Sequence, residues 1–264
     1  MYNTSFEAYA TNTILNGIVL FLTISGGLGF IVVTDIWYYF SKKSNSISFT
    51  TKMITLSFFG VLLIATAITF FGESTIQHYP VFERLEIATF QTVNAISTAG
   101  YNSIPLSNLT LGVLLTIIFL MYVGAAPSST GGGMKITTLT AVIAIVKSKV
   151  RNQAKVTYLG KKIPADRLEM AVSTFIFYTA ILFFSVFLLS FTENQSLEKL
   201  LFEATSAIGT VGLSMGITGS LSVWGKIILI SIMFIGRVGV ITFGLAILAK
   251  KQHKKIDNET DLAV

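Results

Sequence analysis

FQTVNAISTAGYN, residues 90–102, and FEATSAIGTVGLS, residues 202–214, are two versions of one stretch. Phe90 pairs with Phe202, Ala95 with Ala207, Ile96 with Ile208, Thr98 with Thr210 and Gly100 with Gly212, all at one offset (202 − 90 = 112). In each copy a short apolar helical pattern breaks at a glycine between two long hydrophobic segments. A membrane protein tolerates such a break only where it is buried in protein or lines a cavity, so both copies are pore-loop candidates.

The repeat extends beyond the loops, as a true repeat should. The offset of 112 carries Gly124 of LMYVGAAPSSTGGG onto Gly236 of IMFIGRVGVITFG, and an offset of 210 carries Gly26 and Gly29 onto Gly236 and Gly239. The closing helix of the unit thus occurs three times and the loop twice.

Of the 264 residues, 52% are hydrophobic and 12% charged, more apolar surface than one soluble core hides. About twenty apolar residues cross a bilayer as a helix. Segments 13–40, 53–71, 168–191 and 223–249 are long enough, and 109–147 is long but interrupted. Segments 81–97 and 198–209 are too short to cross, which suits half-spanning pore helices. Segment 13–40 is too long for a secretory signal, and no cation precedes it. The chain has no cysteine, and its two histidines, His78 and His253, form no ligand spacing.

The net charge of +6 is not a nucleic-acid footprint, because the cations fall in alternate loops. Lys42, Lys43 and Lys52 form one group, Lys147 to Arg167 another, and Lys250, Lys251, Lys254 and Lys255 a third. The intervening connections carry Glu73, Glu83, Glu86, Glu193 and Glu198 against Arg84 and Lys199. The positive-inside rule therefore predicts a multi-pass protein with both pore loops open to the outside and a cytoplasmic C-terminus.

The predicted fold class is all-α: polytopic helices in helix, pore-loop, helix repeats. Residues 1–47 read as the last helix of a truncated second repeat, 48–150 as a third repeat with a broken inner helix, 151–250 as a fourth, and 251–264 as a cytoplasmic tail. The expected status of the chain is therefore a C-terminal piece, incomplete at its N-terminus.

Two constellations carry candidate chemistry. Thr98, Ala99, Gly100 and Tyr101, with Thr210, Val211, Gly212 and Leu213, suit a filter whose backbone carbonyls replace the water of a monovalent cation, glycine allowing the positive φ a carbonyl ring needs. The alternative for each glycine is a plain turn ending a re-entrant helix. No charged residue lies in 97–103 or 209–215, which disfavours an anion or calcium pore. Glu83, Glu86, Glu198 and Glu203, before or within the pore helices, serve to concentrate cations, or to cap helices or face solvent.

The second constellation is the break Pro127, Ser128, Ser129, Thr130, Gly131, Gly132 and Gly133, about 20 Å from the cytoplasmic side at helical rise. Directly inward of a filter, a flexible polar loop suits a gate; the alternative is a passive kink. Arg237, at the matching depth, is expected to face the pore or that loop, since lipid exposure would cost several kcal/mol. Lys135 either joins the gate or reaches cytoplasmic water. Gly26, Gly27, Gly29, Gly236, Gly239 and Gly244 are assigned to close helix packing. No Walker loop, catalytic triad or dinucleotide glycine pattern occurs, so an enzyme is not expected.

STAGYN, GTVGLS, the GGLGF helix, VGAAPSSTGGGMKITT and GRVGVITFG together resemble the Trk/Ktr/HKT superfamily of potassium transporters, and within it the Ktr-type membrane subunit. The resemblance covers nearly the whole chain. It implies four such repeats around one pseudo-fourfold pore in the plasma membrane. Gly100 and Gly212 would be the third and fourth filter glycines, with K+ held by carbonyls near them, 125–135 the gate loop and Arg237 its partner. It further implies no covalent cofactor, K+ with Na+ as a candidate coupling ion, a homodimer of the pore subunit, and a cytosolic nucleotide-binding regulatory ring. The alternative expectation is a non-conducting membrane scaffold or accessory subunit.

Overall fold

The computed structural model describes residues 5–239. The segment 240–264, holding Gly244, the last basic cluster, the inner part of the final crossing and the predicted tail, lies outside the described residues. Nine α-helices form the described molecule: α1 (Thr13–Leu28), α2 (Phe30–Phe40), α3 (Phe49–Gly72), α4 (Val81–Ile96), α5 (Leu111–Val123), α6 (Ile136–Val150), α7 (Ala165–Thr192), α8 (Leu197–Ile208) and α9 (Val223–Val238). Two two-residue strands, Thr157–Tyr158 and Lys161–Lys162, pair antiparallel in the connection before α7. The starts of α1, α3 and α9 fall where side-chain oxygens take up free backbone donors: Asn12 accepts from Leu15 N, Ser48 from Thr51 N and Ser222 from Gly225 N.

Two helices, α3 and α7, are each long and apolar enough to cross a membrane. The expected crossing 13–40 is instead broken at Gly29, where α1 and α2 bend by 99°. Gly29 has φ +80°, and Phe30 N donates to Ser128 O at 3.2 Å, so the chain leaves the helix to pair with a distant loop. The glycines assigned to packing therefore divide. Gly27 and Gly236 do bring backbones together: an added Cβ at Gly27 would sit 3.0 Å from Ser97 Cβ, and at Gly236 it would overlap Ile208 O. Gly29 and Gly239, both at positive φ, end helices instead.

The short helices α4 and α8 are too short to span, at about 24 and 18 Å. Each packs between longer neighbours: α4 against α1, α3 and α5, and α8 against α5, α7 and α9. One core holds Phe58, Val93, Ile96, Ile117, Leu120 and Met121; the other holds Tyr178, Leu182, Leu200, Ile208, Leu229 and Ile232. Tyr122, Leu139 and Leu201 pack against both, so the two units share a continuous interior. Burial of this kind holds the ends of α4 and α8 rigidly, and those ends aim the loops.

The ends of α3 and α7 are tied to neighbouring helices by acids that the sequence offered only as topology markers. Glu73, fully buried, accepts from Thr110 N at 2.9 Å and Thr110 Oγ1 at 3.1 Å. Glu193 accepts from Ser222 N at 3.1 Å and Ser222 Oγ at 2.5 Å, and Ser222 stands 112 residues after Thr110. Each carboxylate thus takes up free donors at the start of an inner helix, α5 or α9.

Candidate functional site

The strands that leave α4 and α8 have the same backbone. Ser97 N and Gly209 N continue the helical ladder to Val93 O and Thr205 O, both at 2.9 Å. Thr98 N then donates to Ala95 O and Ala99 N to Asn94 O; at the equivalent places Thr210 N donates to Ala207 O and Val211 N to Ser206 O. Thr98 and Gly100 have φ +58° and +79°, Thr210 and Gly212 +50° and +94°. Backbone that alternates positive and negative φ turns successive carbonyls toward one side, the form required of a carbonyl-lined filter. A threonine at positive φ costs of order 1–2 kcal/mol. The same strain at the same place in two loops marks it as a built feature. Sequence reasoning assigned positive φ to the glycines alone; the repeated threonine, read beside them, was the available signal.

The two strands meet. A Cβ added at Gly100 would overlap the carbonyl oxygen of Val211, so only glycine permits this approach. Gly212 faces open space, with nothing within 4 Å of an added Cβ. Val211 and Leu213 are buried, Tyr101 is exposed, and the Tyr101 ring stacks edge-on against Phe6 at 5.1 Å.

The break between α5 and α6 lies directly against both strands. Gly132 N donates to Thr98 Oγ1 at 2.8 Å. A Cβ at Gly131 would lie 2.6 Å from Ser97 O, and one at Gly132 would overlap Gly209 O. Gly124 and Gly133, both at positive φ, cross so closely that a Cβ on Gly124 would overlap Gly132 O. The triple glycine is thus a close-packing device as much as a source of flexibility.

The loop is also well bonded. Ala126 N donates to Gly27 O at 2.9 Å and Thr130 N to Gly26 O at 3.3 Å, so its outgoing arm docks on the end of α1. Met134 N and Lys135 N return to Tyr122 O and Val123 O at 3.1 and 2.9 Å. A kink with free backbone groups would be costly at this depth; here the groups are paired with another part of the chain.

Arg237 sits at the end of α9 and its Nη1 donates to Thr130 O at 3.3 Å. Lys135 Nζ donates to Gly131 O at 2.6 Å. Both cations hold carbonyls of the loop rather than carboxylates. Pro127 and Ser129 are half-buried, Ser128 and Thr130 exposed, Gly131 and Gly132 buried. A cavity of about 300 Å³ is lined by Ser97, Thr98, Ala99 and Tyr101 from the first strand and by Thr130 and Gly131 from the loop. A second, of about 320 Å³, lies between the loop and α9, bordered by Lys135, Tyr178 and Arg237. Filter and loop candidates therefore share walls. Among the described residues no group of three or more acids or histidines is placed to hold a metal.

Broken intramembrane helices, re-entrant pore helices and paired glycine strands define a polytopic membrane protein of the pore-loop class. The chain belongs to the TrkH family of cation transport proteins, whose pattern matches residues 1–258. It is 31% identical to the Ktr system potassium uptake protein B of Bacillus subtilis over 97% of this chain and 58% of that protein. It is 35% identical to the potassium/sodium uptake protein NtpJ of Enterococcus hirae over 93% of this chain and 55% of the other. The chain spans little more than half the length of these relatives. In fold it is similar to the crystal structure of the potassium transporter TrkH from Vibrio parahaemolyticus, with a TM-score of 0.76 at 19% identity over 95% of this chain and 55% of that one.

Proposed function

We propose that the chain supplies two strands of a potassium filter and its gate, within the membrane subunit of a potassium uptake system. The observation that carries this is the identical φ pattern at Thr98–Gly100 and Thr210–Gly212 in two strands that meet at Gly100 and Val211. Potassium passes along the carbonyls near Gly100 and Gly212, and sodium, named for one relative, is the candidate second ion. The open side of Gly212 is where a further strand of a four-strand ring would stand. Residues 48–150 and 151–250 are the third and fourth repeats of that ring, and residues 1–47 close the second.

The loop from Pro127 to Gly133 gates the path from the inside. Its pairing with Gly26, Gly27 and Phe30 supports a closed position, and Arg237 on Thr130 O acts as the latch. The resemblance further supports a homodimer in the plasma membrane, a cytoplasmic C-terminus and a cytosolic nucleotide-binding regulator.

Potassium-limited growth of a transport-deficient host tests the proposal, with the chain expressed together with the segment that completes its relatives' length. Rescue is expected. A complete assembly that reaches the membrane and takes up no potassium would favour a non-conducting scaffold. In the rescued host, Arg237→Ala should raise potassium flux in the absence of the regulator; flux unchanged by that substitution would refute the latch.

A further inference from the structure

Glu203 lies on α8, seven residues before Thr210, and is only 5% exposed. A carboxylate taken out of water is costly unless its oxygens are hydrogen-bonded. Its Oε1 accepts from Ser214 Oγ at 2.6 Å and from Met215 N at 3.0 Å, and its Oε2 accepts from Thr218 Oγ1 at 2.8 Å. Ser214 in turn accepts from Gly216 N at 2.9 Å, and the Ser214 and Thr218 hydroxyls stand 3.0 Å apart. The acid therefore fastens the return of the loop back onto its own pore helix.

Ser214 follows Leu213 directly, so this grip falls one residue beyond the filter strand. The inner end of the strand is fixed by Thr210 N and Val211 N on α8 carbonyls. Between these two anchors lies Gly212, at φ +94° with nothing within 4 Å of an added Cβ. The first strand comes up beside its Cα, 3.3 Å from a Cβ built on Gly100, but no hydrogen bond among the described residues holds the Gly212 N–H or carbonyl. The position of the Gly212 carbonyl thus depends on the outer anchor.

The third-repeat loop has Gln91 at the corresponding place, 112 residues earlier. Gln91 is fully buried, and neither its Oε1 nor its Nε2 has a hydrogen-bond partner among the described residues. That loop is held differently: Asn102 N donates to Ser5 Oγ, Asn102 O accepts from Phe6 N, and Asn102 Nδ2 donates to Glu7 Oε1. Of these two described strands, only the fourth-repeat one is braced by a buried carboxylate of its own pore helix.

We propose that Glu203 is the positioning residue of the fourth-repeat filter strand, holding Leu213–Ser214 so that the Val211 and Gly212 carbonyls keep the spacing that selects among monovalent cations. It rests on the filter assignment made above. An amide in its place has one accepting oxygen and a nitrogen that only donates, so at least one of the three donors loses its partner. A hydrogen bond to a charged acceptor is worth enough that its loss shifts an equilibrium on the order of tenfold.

The test measures potassium and sodium uptake by the complete, regulator-bound assembly in vesicles. Wild-type uptake of potassium comes first; its absence defeats the filter assignment itself, separately from this inference. Given uptake, Glu203→Gln should lower the potassium-to-sodium ratio on the order of tenfold, with Glu203→Asp recovering part of it. A purely structural role would lower the amount of protein in the membrane and leave the ratio of the remainder unchanged. Glu203→Gln with wild-type abundance and wild-type selectivity overturns the proposal. Should that variant fail to reach the membrane, Ser214→Ala and Thr218→Val carry the test: each keeps the charge and removes one donor. A lowered ratio in both supports the role, and an unchanged ratio in both overturns it.

Discussion

The two pore loops have one backbone and two kinds of support. Their hydrogen-bond ladders and φ signs match position for position, yet Gly100 is wedged against Val211 O while Gly212 stands open. Behind Gly212 is a bonded carboxylate, and behind Gly100 an amide with no partner among the described residues. The 127–133 loop donates to Thr98 Oγ1 in the first strand, whereas it meets the second strand through the close approach of Gly132 to Gly209 O and Thr210 Oγ1. Repetition has thus preserved the backbone of the proposed filter, while the surroundings have diverged. Selectivity needs equivalent carbonyls; packing does not need equivalent neighbours.

The largest effect that separates the loops should come from an added methyl. Gly100→Ala meets Val211 O and an unfavourable φ together, and should destabilise the detergent-purified assembly by about 3 kcal/mol in thermal unfolding. Gly212→Ala carries the φ strain alone and should cost about 1 kcal/mol. Equal losses would mean that the strands do not meet as described. Next in size, Thr98→Val removes the acceptor of Gly132 N and should cost about 1 kcal/mol more than Thr210→Val, read from the same unfolding curves.

The smallest effect concerns the carboxylate staple between Glu193 and the start of α9. Hydrogen bonds from the Ser222 hydroxyl, ahead of that from its backbone, hold the Glu193 carboxyl below its ordinary value of 4.5. With the folded value depressed, the ionised group stabilises the fold above pH 4.5, and that contribution is lost as the pH falls through the folded value. The wild-type melting temperature should therefore drop more steeply below pH 4.5 than that of Glu193→Gln. Parallel pH profiles would contradict the staple.

The repeat at offset 112 was enough to place the pore helices and both glycine strands, because short-range hydrophobic period and glycine position are local signals. Helix boundaries fell within a few residues at α3, α4, α7 and α8 for the same reason. The bend at Gly29 was not legible: its cause is Ser128 O, about a hundred residues away, and an apolar run on both sides reads as one crossing. Glu203, too, looked like a mouth or capping acid until the loop folded back to bring Ser214, Met215 and Thr218 to it. Long-range contacts decide what a glycine or an acid is for, and one sequence without a partner to compare does not contain them. Arg237 was the exception, since a cation at that depth needs a polar partner and the broken loop at matching depth was the obvious one.

Gly100 and Gly212 are read as equivalent quarters of one filter, and the potassium-to-sodium uptake ratio of the complete assembly, measured in parallel for Gly100→Ser and Gly212→Ser, tests that claim most directly. Both substitutions should lower the ratio, whatever their different costs in stability. A ratio unchanged from wild type in both, with protein present in the membrane and taking up potassium, would contradict it.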